Sequence, residues 1–124
     1  MTKEKIREYS LGIAETISDK KGRDVIVIDV EEVTPLFDYM VIATADSQLH
    51  LNALMGFVED KMDQLDINRV NRKNLFADSP WILIDCGFIV VHLFNKEARD
   101  FYSIEKLWAD GKVIFNDSPV GVIN

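Results

Sequence analysis

A chain of 124 residues is long enough for one hydrophobic core and too short for two. Its 48% apolar and 28% charged residues are ordinary for a soluble globular domain. The net charge of −7 argues against affinity for nucleic acid through neutralised phosphates, which needs clustered Lys and Arg, and favours attraction to basic protein surfaces. The single cysteine, Cys86, excludes an internal disulfide and fits a reducing compartment. The opening MTKEKIREYS lacks the apolar stretch of a secretory signal, and no run approaches the ~20 apolar residues of a membrane span. A cytoplasmic protein is expected.

In chain order, residues 3 to 20 predict a helix, with Ile6, Tyr9, Ile13 and Ile17 along one face and Gly22 placed to end it. Asp24 to Val30 reads as a β-branched strand, and Pro35 keeps the connection after it irregular. Tyr39 to Ala45 is a second strand; the order fits an antiparallel hairpin opening, and the connection between the two strands leaves room for other arrangements. Asp46 or Ser47 caps a second helix, whose stripe is Leu51, Leu54, Met55, Val58, Met62 and Leu65. Residues 66 to 80 read as a polar loop, with a short strand around Arg69-Val70. Trp81 to Ile84 and Phe88 to Phe94 are nearly continuous apolar runs around a Cys86-Gly87 turn, the pattern of strands covered on both faces. Asn95 then caps a helix whose stripe is Phe101, Ile104 and Trp108. From Gly111 onward an extended tail of low order is expected, so the domain is placed at 1–110 and the tail at 111–124. The order α-β-β-α-(β)-β-β-α predicts an α+β sandwich: one mixed sheet with helices packed on it.

The chemistry-bearing residues are sparse. Metal-dependent nucleotidyl transfer needs two or three converging carboxylates, yet no Asp-x-Asp pair occurs, and Asp24 and Asp29 fall on opposite faces of their strand. The Ala45-Asp46-Ser47 turn has no glycine to bring backbone amides to a phosphate, and its carboxylate repels one. His50 and His92 have no Cys or His at helical ligand spacing, so no metal or other cofactor is expected; His92 reads as a strand histidine satisfied by one hydrogen bond. Cys86, in an acidic neighbourhood, reads as a small apolar turn residue. Arg69, Arg72 and Lys73 form the one basic cluster, a weak handle for phosphate. Half of the aromatic residues (Trp81, Phe88, Phe94, Phe101, Tyr102 and Trp108) fall within 28 positions, and Trp81 and Trp108 are the ones expected at the surface. Arg99 and Glu105, six apart, do not face each other on one helix, so either is free to reach a partner. These residues describe a binding module without an active site.

The runs W-x-L-I-D-x-G, V-V-H-L-F and A-R-x-F-Y-x-I-E-K-L-W resemble the ribosomal silencing factor (Iojap-like) family. Lys21-Gly22-x-Asp24, Asp29-Val30, Asp38 to Thr44 and Ser47 follow in the family's order. The resemblance implies a nucleotidyltransferase-like fold without catalysis. It also implies docking on the large ribosomal subunit through its protein fourteen, which sterically blocks small-subunit joining and lowers translation when nutrients are scarce. The alternatives are a large-subunit assembly factor and, further off, a nucleotidyltransferase-like enzyme. Carried over by motif, the partner-binding residues are Asp38, Ser47, Trp81, Asp85, His92, Arg99, Tyr102, Glu105 and Trp108, while Gly87 and Leu107 are structural. The chain departs from the pattern at Ala45, Leu49 and Phe88 and in the loop before Trp81; an exposed Phe88 enlarges an apolar patch and allows a homodimer.

Overall fold

The computed structural model describes residues 2–68, 71–73 and 79–117, with backbone alone for 71–73. Its elements are α1 (Lys3–Asp19), β1 (Arg23–Asp29), β2 (Tyr39–Ala45), α2 (Gln48–Gln64), β3 (Asn71–Lys73), β4 (Trp81–Asp85), β5 (Ile89–Asn95), α3 (Lys96–Tyr102), α4 (Ile104–Leu107) and β6 (Lys112–Asn116). The strands form one sheet in the order β3-β4-β5-β2-β1-β6. Only β2 and β5 run parallel, Tyr39 opposite Ile89 through Ala45 opposite Asn95, so the sheet is mixed and the fold is α+β.

Alternation along the strands sorts side chains to two faces. Val25, Val27, Val41, Ala43, Ile82, Ile84, Val91 and Leu93 face α1 and α2, which supply Ile6, Ile13, Ile17, Leu51, Leu54, Val58 and Met62. Ile26, Ile28, Met40, Ile42 and Phe94 face the other way, toward Ala98, Ile104 and Trp108. Helices α3 and α4 are short, and they leave part of this second face open. The expectation that both central strands are covered on both faces therefore holds for β5, buried from Ile89 to Phe94, and fails for β4, which alternates between buried and half-buried residues. Ile82 and Ile84 enter the core, whereas Trp81, Leu83 and Asp85 stand on the open face.

The caps follow side-chain chemistry. Ser47, not Asp46, caps α2, accepting from the His50 amide at 3.0 Å. His50 ties the ends of α1 and α2 together: its Nδ1 accepts from the Asp46 amide and its Nε2 donates to the Lys20 carbonyl, each at 2.9 Å. Asn95 caps α3 through the Ala98 amide at 2.8 Å. At the end of α1 the left-handed residue is Lys21, with φ 72°, while Gly22 is there for space: a Cβ would lie 2.3 Å from the Ile17 side chain.

Two expectations are revised. The extended segment after Gly111 is a strand, β6, paired antiparallel with β1. Asp117 fastens it, accepting from the Val25 amide at 2.6 Å and the Ser18 hydroxyl at 2.5 Å. Without β6, β1 would present a row of unpaired backbone groups, which is why an alternating segment is held there. The short strand foreseen around Arg69-Val70 lies at Asn71–Lys73; Arg69 and Val70 are outside the described residues, as are the side chains of Arg72 and Lys73.

Candidate functional site

The open part of the second face is a groove of about 590 Å³. Its floor is built by every second residue of β4 and β5 (Trp81, Leu83 and Asp85; Val90 and His92) with Met40 of β2. Leu36 and Phe37, in the β1–β2 connection, and Ile104 and Trp108, from the last helical turn, line its sides. The lining is almost wholly apolar.

Trp81 is held by three neighbours. Its ring lies 5.1 Å from that of Phe94 and 4.9 Å from that of Tyr102, and its Nε1–H donates to His92 Nδ1 at 3.0 Å. His92 is 5% exposed, and burial pushes its imidazole down to about 4, so it is neutral at physiological pH and free to accept that bond. Trp108 meets Phe37 edge-on at 5.4 Å. At the hairpin end, Asp85 Oδ1 accepts from the Gly87 amide at 2.8 Å, and Gly87 takes φ 88°, which a side chain would strain. Phe88 beside it is 54% exposed. Its carbonyl accepts from the amides of Asp38 and Tyr39, which brings Asp38 to the same end. Burial, then Glu31 and Asp29, raise the Asp38 carboxyl above its ordinary value against the pull of Lys3.

A second cavity, polar and about 660 Å³, opens at the other end of the sheet beyond the carboxyl ends of β2 and β5. Because α2 follows β2 onto one face and α3 follows β5 toward the other, this is a topological switch point, where α/β sheets often bind ligands. Here the charged groups largely satisfy one another. Arg23 Nε pairs with Asp46 at 2.5 Å and Lys96 with Asp100 at 3.6 Å. Arg99, 7% exposed, donates through Nη1 to the Asp24 carbonyl at 2.6 Å and to Thr44 Oγ1 at 2.9 Å, and its Nε lies 3.5 Å from Glu105. Among the described residues no group of three or more His, Cys, Asp or Glu is placed to hold a metal ion.

The nine residues carried over by motif therefore fall into separate places. Trp81, Asp85, His92 and Trp108 line the groove; Tyr102, 47% exposed, extends its aromatic end beside Trp81; Asp38 stands near the hairpin end. Ser47, Arg99 and Glu105 line the polar cavity instead, and Ser47 is a helix cap. The reading of Arg99 and Glu105 as free to reach a partner is corrected: they pair with each other, because Ser103 adopts a left-handed conformation (φ 45°, ψ 46°) that ends α3 and starts α4 in a new direction. The same break undoes the predicted stripe. Ile104 is buried, but Phe101 is 81% exposed. Cys86 is buried against Met62, its Sγ 3.6 Å from the thioether sulfur. Sequence reading missed Leu36, Phe37, Leu83 and Val90. A signal existed for the first two: adjacent large apolar residues after Pro35, inside a connection, have no strand or helix to serve.

The geometry defines a small α+β domain with an open, apolar groove lined by both tryptophans. The family model described as "Ribosomal silencing factor during starvation" matches residues 3–122. The ribosomal silencing factor RsfS of Chromobacterium violaceum is 36% identical over 110 residues, 89% of each chain, and that of Bacillus subtilis is 33% identical over 97 residues, 78% of this chain and 81% of that one. A crystal structure of a protein from Chromobacterium violaceum superposes with a TM-score of 0.78 at 36% identity, covering 84% of this chain and 86% of its own. This chain belongs to the ribosomal silencing factor family.

Proposed function

We propose that this protein docks on the large ribosomal subunit by seating its groove on large-subunit protein fourteen, and that the bound domain blocks joining of the small subunit, lowering translation when nutrients are scarce. The observation that carries the docking surface is the groove itself: an apolar channel between Trp81 and Trp108, with Asp85 in its lining at the hairpin end and Asp38 bonded through its backbone to Phe88 nearby. Aromatic anchors in a desolvated pocket concentrate binding energy, and carboxylates beside them favour a basic partner. The mechanism needs no catalysis, since a folded domain contributes excluded volume wherever the other subunit must approach. The relatives named as silencing factors support this reading.

Co-sedimentation with separated subunits, followed by a subunit-joining assay, tests it. The protein pellets with large subunits alone and lowers joining. Trp81→Ala and Leu83→Glu each weaken binding by about 1–3 kcal/mol while the fold stays intact. Wild-type binding by both folded variants would remove the groove from the interface.

One observation favours a second reading. A mouse protein named "Mitochondrial assembly of ribosomal large subunit protein 1" is 32% identical over 95 residues, though the match spans only 41% of its length. Assembly would use the same docking surface. It differs in leaving immature large subunits when the protein is depleted under rich growth, whereas silencing alone leaves them complete.

A further inference from the structure

We infer that Arg99 and Glu105 are positioning residues for docking: their buried pair latches the last helical turn to the sheet, so that Trp108 stands as one wall of the groove. This rests on the groove being the docking surface. Helix α4 has only four residues, too few to be stable alone. It has no side-chain cap, and the chain enters it through Ser103 in a conformation that favours glycine. Something outside the turn must hold it.

The Arg99 guanidinium, reaching from α3, does so by linking it to the sheet. One end bonds the Asp24 carbonyl of β1 and Thr44 of β2. The other faces Glu105, on α4. The two side chains are only 8% and 14% exposed, and the second carboxylate oxygen, Oε2, is buried without a hydrogen-bond partner among the described residues. The Glu105 charge is therefore compensated by Arg99 and little else. A buried ion pair contributes little net stability but leaves a costly orphan when broken, so its leverage is on which arrangement the chain adopts. The arrangement passes directly to the groove. The Trp108 amide donates to the Glu105 carbonyl at 3.3 Å, so a displaced Glu105 carries Trp108 with it.

The test combines binding with the two indole N–H resonances, one for each tryptophan. The Trp81 resonance, hydrogen-bonded to His92, is an internal control for the sheet. In Glu105→Ala the Trp108 resonance moves, the Trp81 resonance stays, and large-subunit binding falls about tenfold. Glu105→Gln keeps an acceptor for Arg99 Nε but lacks the charge, so it gives a smaller loss, about threefold. If Glu105→Ala does not fold, the glutamine variant decides on the same two readouts. Wild-type binding and an unmoved Trp108 resonance, even with a lower melting temperature, would overturn the latch. Trp108→Ala separates the two ideas. If it loses binding while the folded Glu105 variants do not, docking stands and the latch falls. If Trp81→Ala and Trp108→Ala both bind like the wild type, the docking surface falls and the latch with it.

Discussion

Single residues here gain their roles from what surrounds them, and His92 is the clearest case. A strand histidine with one hydrogen bond was readable from its apolar neighbours; that its donor is the Trp81 indole, eleven residues away, was not. The burial of the imidazole gives a pH dependence with a definite sign. The folded imidazole titrates near 4 and the unfolded one near 6.5, so between these values the unfolded chain binds more protons. Its contribution to stability is complete above pH 6.5 and is lost as pH falls toward 4, amounting to about 3 kcal/mol over the window. Urea unfolding at pH 7 and pH 5 checks this. The wild type loses stability, and His92→Gln, less stable at pH 7 for want of the indole bond, loses less between the two. Equal losses would assign the acid sensitivity to other groups. Arg99 and Glu105 make the complementary point: six residues apart on an unbroken helix they cannot meet, and one left-handed serine brings them together.

Among the elements, the two long helices and the central strands were legible because each repeats a period over enough residues to be unambiguous. The second strand and the stripe of α2 agree with the structure nearly residue for residue. The elements misjudged are short. Strand β6 has five residues and little burial, so its order comes from the bonds it gives β1 and from the Asp117 clasp, which joins residues 92 and 99 positions apart. A chain cut after Asp110 uncovers the β1 edge, and the expected result is a lower melting temperature with self-association. Thermal unfolding beside sedimentation velocity measures both. A monomer with unchanged melting would show that β6 is dispensable. Helices α3 and α4 read as one helix in the sequence, since nothing in F-Y-S-I-E marks the left-handed break at Ser103.

Over the whole molecule, charge and shape act together. The net charge of −7 and the carboxylates at the hairpin end favour approach to a basic partner, so on the proposed docking association is faster at low salt. On the proposed docking, raising ionic strength from about 0.05 to about 0.5 M slows association with large subunits several-fold, while the dissociation rate, which the groove's aromatic contacts would set, changes less. Stopped-flow measurement of a labelled protein resolves the two; a salt-independent association rate would leave the acidic surface without a role in docking. The two long helices, the central strands, the acidic surface and the family signature could all be read along the chain, because period, turn chemistry, composition and motif are local. The groove could not. It exists because α3 and α4 are too short to cover the second face of the sheet, and because strand order sets Leu83 beside His92 and brings Phe37 to Trp108. Which apolar residues remain open is decided by what is left uncovered after packing, and only the assembled fold determines that.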